Sequence, residues 1–207
     1  MFSHSKENQT HLTPDEALTL LREGNDRFAH NLHTNLDLMD QVLESSAGQF
    51  PFATILSCID SRTSVELIFD QGLGDIFSIR IAGNVLNEDI LGSMEFATKL
   101  VGTKVIVVLG HTKCGAIAGA CNKVELGHLT GLLNKIKPAM EKETTTTENR
   151  TGKNLSFLKN VTEIHVGLII EQIRKESPII AELEANGQLK LVGAMYDVDT
   201  GKVDFSF

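Results

Sequence analysis

Three short runs, "FATILS" (52–57), "IFSIRI" (76–81) and "KVIVVLG" (104–110), constrain this 207-residue chain more than anything else in it. Each is apolar and rich in β-branched residues, and each is separated from the next by enough chain to hold a helix. Strands joined across helix-length segments pair in parallel, because antiparallel neighbours need only a tight turn. The spacing predicts a short helix over Ser64–Phe69 and a longer one over Asp89–Leu100 that ends near Gly102. Downstream, "LKLVGAMYDV" (189–198) reads as a fourth strand, and "DTGK" turns it into a last short strand, "VDFSF". The expected fold class is α/β: a parallel four-stranded sheet core with an antiparallel C-terminal edge strand, flanked by helices.

The helices have their own signals. Thr13-Pro14-Asp15-Glu16 has the form of a capping box with proline at the first helical position, and Ala17, Leu18, Leu21 and Phe28 follow at near-helical spacing. A helix over Pro14–His30 and a second over Leu36–Ser45 make residues 1–46 an N-terminal helical arm. After Cys114 the chain reads as helical for a long way, interrupted by "EKETTTTENRTGKN", an exposed loop. Leu155, Leu158, Val161, Ile164, Leu168 and Ile173 form an apolar stripe that faces a core. No internal repeat appears, and 42% hydrophobic with 22% charged residues suits a single domain over 1–207.

Composition narrows the partners. Nineteen basic against 27 acidic residues give a formal charge of -8, which disfavours a surface built for nucleic acid or anionic lipid. No apolar run approaches the roughly 18 residues of a spanning helix, and the N-terminus has no signal-peptide pattern. A cytoplasmic protein acting on a small molecule is expected. Three cysteines, Cys58, Cys114 and Cys121, are too few and odd in number for a disulfide framework, so metal binding or catalysis is the better use.

The chemistry gathers at strand ends. "GHTKCG" (110–115) has the glycine spacing of a phosphate-binding loop, but Ala116-Ile117 stand where that loop needs Lys and Ser/Thr. A metal fits better. His111 and Cys114 lie just beyond one predicted strand and Cys58, in "SCIDSR", just beyond another, which is where open α/β sheets gather ligands. Two thiolates and one imidazole are a zinc set that leaves a fourth tetrahedral position open. Asp60 and Arg62 stand beside it as a charge pair. The aspartate can orient a zinc-bound hydroxide while the arginine keeps it ionised and in place. Released by Arg62, Asp60 could itself take the open position.

These motifs, Cys58-x-Asp60-x-Arg62, Arg80-x-Ala82-Gly83-Asn84 and His111-x-x-Cys114-Gly115, make the chain resemble the β-carbonic anhydrases from about Asp15 to Phe205. The resemblance implies Cys58, His111 and Cys114 as ligands of one catalytic Zn2+, and Asp60 and Arg62 as the catalytic dyad. It implies reversible hydration of CO2 to bicarbonate by attack of the zinc hydroxide. By spacing, it places the substrate-contacting glutamine at Gln49 and the apolar pocket at Phe77 and Phe96, with Gly115 letting a backbone N–H approach the bound anion. It also implies a homodimer, or a tetramer built of dimers, with the N-terminal helix across the partner.

Some members of the family hold a second, regulatory bicarbonate with a tryptophan; here that position is Ile55, which predicts a constitutively open site. No proton carrier is singled out among His4, His11, His30, His33, His128 and His165. The rival functions are CS2 or COS hydrolysis on the same scaffold and a non-catalytic structural zinc module.

Overall fold

The computed structural model describes residues 5–34 and 37–205. The chain opens with α1 (Lys6–His11) and α2 (Pro14–Ala29), then α3 (Leu38–Ser45), β1 (Ala53–Ser57), α4 (Val65–Ile68) and β2 (Ile76–Arg80). A 3-10 turn (Ala82–Asn84) leads to α5 (Glu88–Glu95), which continues as a π-helical segment over Phe96–Val101, and then to β3 (Val105–His111). The second half comprises α6 (Gly115–Cys121), α7 (Gly127–Asn134), α8 (Lys137–Lys142), α9 (Leu155–Glu176), α10 (Pro178–Ala185), β4 (Lys190–Tyr196) and β5 (Val203–Asp204).

The strands form one sheet in the order β2-β1-β3-β4-β5. The first four are parallel and β5 pairs antiparallel with β4, as expected from the alternation of apolar runs. Every residue of β1 and β3 is buried, the mark of central parallel strands covered on both faces. Their side chains alternate between two cores. Ile55, Val107 and Leu109 join Leu18 and Leu21 of α2 on one face, while Leu56, Ile106 and Val108 join Ile169 and Ile173 of α9 on the other. A third apolar cluster, with Ile117, Ile136, Phe157 and Val161, surrounds Cys58 and Cys114.

The order of the strands matters for the site. From β1 the chain moves outward to the edge strand β2, then returns to lay β3 on the other side of β1. The carboxyl ends of β1 and β3 therefore flank the point where the winding reverses, the crevice in which α/β sheets bind ligands.

Local differences from the sequence reading have physical causes. The Thr13/Glu16 capping box forms, and α2 ends one residue before His30. The expected helix over 36–45 begins at Leu38; Leu36, like Ser206 and Phe207 of the expected last strand, lies outside the described residues. The long helical stretch after Cys114 is broken into α6, α7 and α8: Lys123 (φ 55°) and Gly127 (φ 43°) take left-handed conformations between α6 and α7, and Pro138 stands in the first turn of α8. In α9 the buried stripe includes Phe157, Leu158, Val161, His165, Val166, Ile169 and Ile173. Leu155 is exposed, and Ile164 and Leu168 are only partly buried. His165, which the sequence places beside the apolar stripe, is one of the helix's buried residues.

Candidate metal centre

His111 is the last residue of β3, and not, as the sequence suggested, one beyond it. Its backbone pairs with Tyr196 of β4, and the N–H of Thr112 donates to the Tyr196 carbonyl at 2.9 Å, so the strand end is fixed before the chain turns. Gly110 lets this happen. A Cβ there would lie 2.7 Å from Met195 Sδ and 2.8 Å from Val166 Cγ2, so only glycine allows α9 and β4 to close on β3 next to the histidine. Cys58 follows β1 directly, and Cys114 is the N-cap of α6.

The three side chains are buried together, with their donor atoms all within 4.8 Å of one another. The Sγ atoms of Cys58 and Cys114, 56 residues apart in the chain, are 4.0 Å apart, too far for a disulfide, and both thiols are free. Two thiolates on a tetrahedral zinc at about 2.3 Å each would sit about 3.8 Å apart. His111 Nδ1 lies 2.9 Å from the Thr112 carbonyl, which can only accept, so Nδ1 carries the proton and Nε2 the lone pair. Nε2 is buried and has no hydrogen-bond partner. An orphaned acceptor facing two close thiols is the arrangement a cation resolves.

The two sulfurs differ in acidity. The hydrogen bond between them pulls the Cys58 thiol well below its usual range and, with burial, drives that of Cys114 up. Cys58 Sγ also accepts the N–H of Gly83 at 3.3 Å.

Asp60 and Arg62 form a two-pronged pair, Nε to Oδ1 at 2.9 Å and Nη2 to Oδ2 at 2.8 Å, reinforced by the Arg62 backbone N–H at 3.0 Å. These hydrogen bonds hold the Asp60 carboxyl far below the ordinary carboxylate range, against the opposing effect of partial burial. Arg62 Nη2 also reaches the Lys113 carbonyl at 3.4 Å, tying the loop after β1 to the loop after β3.

Two residues without a role in the sequence reading hold this loop. Arg80 Nε donates to the Cys58 carbonyl at 3.0 Å and its Nη2 to the Asp60 carbonyl at 2.7 Å, and the Thr63 hydroxyl reaches the same two carbonyls at 2.9 and 2.8 Å. Arg80 ends β2 in register with Ser57 of β1. The sequence signal was there, an arginine closing an apolar strand, but its partners are backbone atoms.

Phe77 and Phe96 pack on each other with ring centroids 6.3 Å apart, and Phe96 is 50% exposed. Gln49 is exposed and lines a shallow cleft with Ser45, Ser46, Ala47, Gly48 and Gly74, into which none of the three buried donors projects. Gly115 opens α6, and apart from its chain neighbours and its own helix backbone no atom lies within 4 Å of where its Cβ would be. Of the candidate proton carriers, His165 is buried and bonded to the Gly83 carbonyl, and His4 lies outside the described residues.

Comparison with known proteins gives one answer. Residues 53–203 match the family model described as carbonic anhydrase. Carbonic anhydrase 2 of Mycobacterium tuberculosis is 36% identical over 190 residues, covering 91% of each chain. Among solved structures, the β-carbonic anhydrase CafA of Aspergillus fumigatus superposes with a TM-score of 0.72 at 24% identity, covering 92% of this chain and 89% of that one. A tetrameric β-carbonic anhydrase of Sordaria macrospora does so with a TM-score of 0.71 at 22% identity, covering 93% and 97%.

Proposed function

This chain belongs to the β-carbonic anhydrase family and is a carbonic anhydrase, and from that premise we propose that it interconverts CO2 and bicarbonate at a zinc ion held by Cys58, His111 and Cys114. The observation that carries the assignment of the site is the buried convergence of two free thiols with a histidine nitrogen that has no other partner. The donor set suits zinc, which when bound supplies a Lewis acid able to generate a nucleophile from water near neutral pH.

The protein's own groups do the rest. Asp60, kept ionised by Arg62, accepts a hydrogen bond from the attacking water and excludes anions that cannot donate one. Arg80 and Thr63 hold the Cys58–Asp60 backbone so that ligand and carboxylate keep a fixed separation. The fork from Arg62 also favours the constitutively open reading, since a carboxylate bound at both oxygens is not free to become a fourth ligand. Gln49, Phe77, Phe96 and Gly115 are assigned to the substrate pocket, completed across a homodimer.

The described residues are read as one domain, since the apolar clusters pack around a single sheet. No helix among them is long and apolar enough to cross a membrane, and the three free thiols favour a reducing compartment such as the cytoplasm. The deciding experiment is stopped-flow CO2 hydration on protein of measured zinc content, with Cys58→Ala as control and CS2 as a second substrate. One zinc per chain and rapid CO2 turnover, both lost in Cys58→Ala, are expected. A zinc-loaded protein that turned over CS2 alone, or neither substrate, would overturn the reading.

A further inference from the structure

The contacts behind Cys58 include one that binding a metal does not by itself require. Gly83 sits in a left-handed turn after β2 (φ 64°), and its N–H is the group that donates to Cys58 Sγ. A Cβ at this position would lie 3.0 Å from Ile136 Cδ1 and 3.2 Å from Ala116 Cβ, so the turn is walled in on that side. On the other, the Gly83 carbonyl accepts a hydrogen bond from Nε2–H of His165 at 2.9 Å.

His165 is 1% exposed, in the buried stripe of α9 beside Val161, Val166 and Ile169, where a plain apolar side chain would serve packing as well. Burying an imidazole costs free energy unless its N–H is used. Burial also lowers its pKa to about 4, so at neutral pH it is an uncharged donor and no proton carrier.

We propose that His165 is a positioning residue that acts through the Gly83 turn, fixing the N–H received by the Cys58 sulfur and thereby how much charge that sulfur gives to the metal. The inference rests on the reading of Cys58 as a zinc ligand. An N–H aimed at a ligating thiolate withdraws charge from it, and partners of this kind change metal affinity or activity by roughly 10–100-fold. Without His165 the Gly83 carbonyl is buried with its donor gone, and the turn is free to move off the sulfur.

The test compares zinc-loaded wild type with His165→Phe, which keeps a ring but no donor, and His165→Gln, whose amide N–H reaches about as far as Nε2. In His165→Phe, zinc affinity by chelator competition is expected to fall about 10-fold. The thiolate-to-metal absorption band of the cobalt-substituted protein is expected to shift, and the inflection of kcat against pH to move upward. His165→Gln is expected to restore all three. Loss of thermal stability in both variants with band, affinity and inflection unmoved would mean that His165 only packs, and would overturn the inference.

If His165→Phe does not fold, amide exchange decides. The Gly83 N–H of zinc-loaded wild type and His165→Gln should be protected, and exchange as fast as that of exposed turn amides overturns the proposal. Wild type separates the two claims. Without zinc in it, the ligand assignment falls and takes this inference with it; with zinc in it and His165→Phe unchanged, only the role of His165 falls.

Discussion

At Asp60 the decisive feature is that both carboxylate oxygens are engaged by one guanidinium. Arg62→Ala removes the fork and lets the carboxylate turn toward the metal, so stopped-flow kcat/KM is expected to fall about 10–100-fold, with an added oxygen ligand visible by X-ray absorption. Arg62→Lys recovers little, because an ammonium offers a point charge and not a planar pair of donors. The sign of the pH effect follows from a folded-state pKa below the ordinary 3.8. The pair stabilises the fold above that value and is lost as pH falls beneath it, so titration of Asp60 contributes no inflection to activity measured between pH 5 and 8. The convergence of Cys58, His111 and Cys114 was legible because all three stand at the ends of recognisable strands. The parts played by Arg80, Thr63 and Gly83 were not, since their partners are backbone atoms and a sulfur whose positions only the sheet register sets.

Among the elements, the strands and α2 were readable because their signals are local: β-branched runs and a capping box. The region after Cys114 reads as nearly continuous helix although Gly127 and Pro138 mark its breaks, and the left-handed conformation of Lys123 leaves no trace in residue type. The loop that follows α8 shows how a polar segment acquires order. Glu143, buried, accepts from Thr145, Thr146, Asn160 and Arg150, and Arg150 in turn covers the ring of Phe157. Burial alone would raise the pKa of Glu143, but these hydrogen bonds outweigh it and hold it at about 2. A lowered pKa means stability present above the ordinary 4.5 and lost as pH drops from there toward 2. Protease cleavage within 144–153 is therefore expected to accelerate across that window, with no such pH dependence in Glu143→Gln. That variant should also lose about 1–3 kcal/mol in urea denaturation at pH 7, since Arg150 keeps its charge without its counterion.

For the whole molecule, α3 is the piece that looks unfinished in a single chain. Leu38, Met39, Val42 and Leu43 are between 43% and 68% exposed on an eight-residue helix held to the body by Gln41, whose Oε1 accepts the Leu73 N–H. Such a face fits a second copy. On the proposed homodimer, the pair Val42→Asp and Leu43→Asp should convert dimer to monomer in analytical ultracentrifugation and lower activity with it. Stripping zinc with a chelator should abolish CO2 hydration yet leave the far-ultraviolet circular dichroism largely unchanged, because the cores on both faces of β1 and β3 are apolar and continuous without it. The return crossover that sets β3 against β1 has a last consequence, for biogenesis. On the proposed assignment no contiguous stretch of the nascent chain can capture the ion: one thiolate waits at residue 58 until the strand ending at 111 has docked beside it. Metal loading is then a late event that proofreads topology, and a molecule whose central strands were threaded or registered wrongly would stay empty.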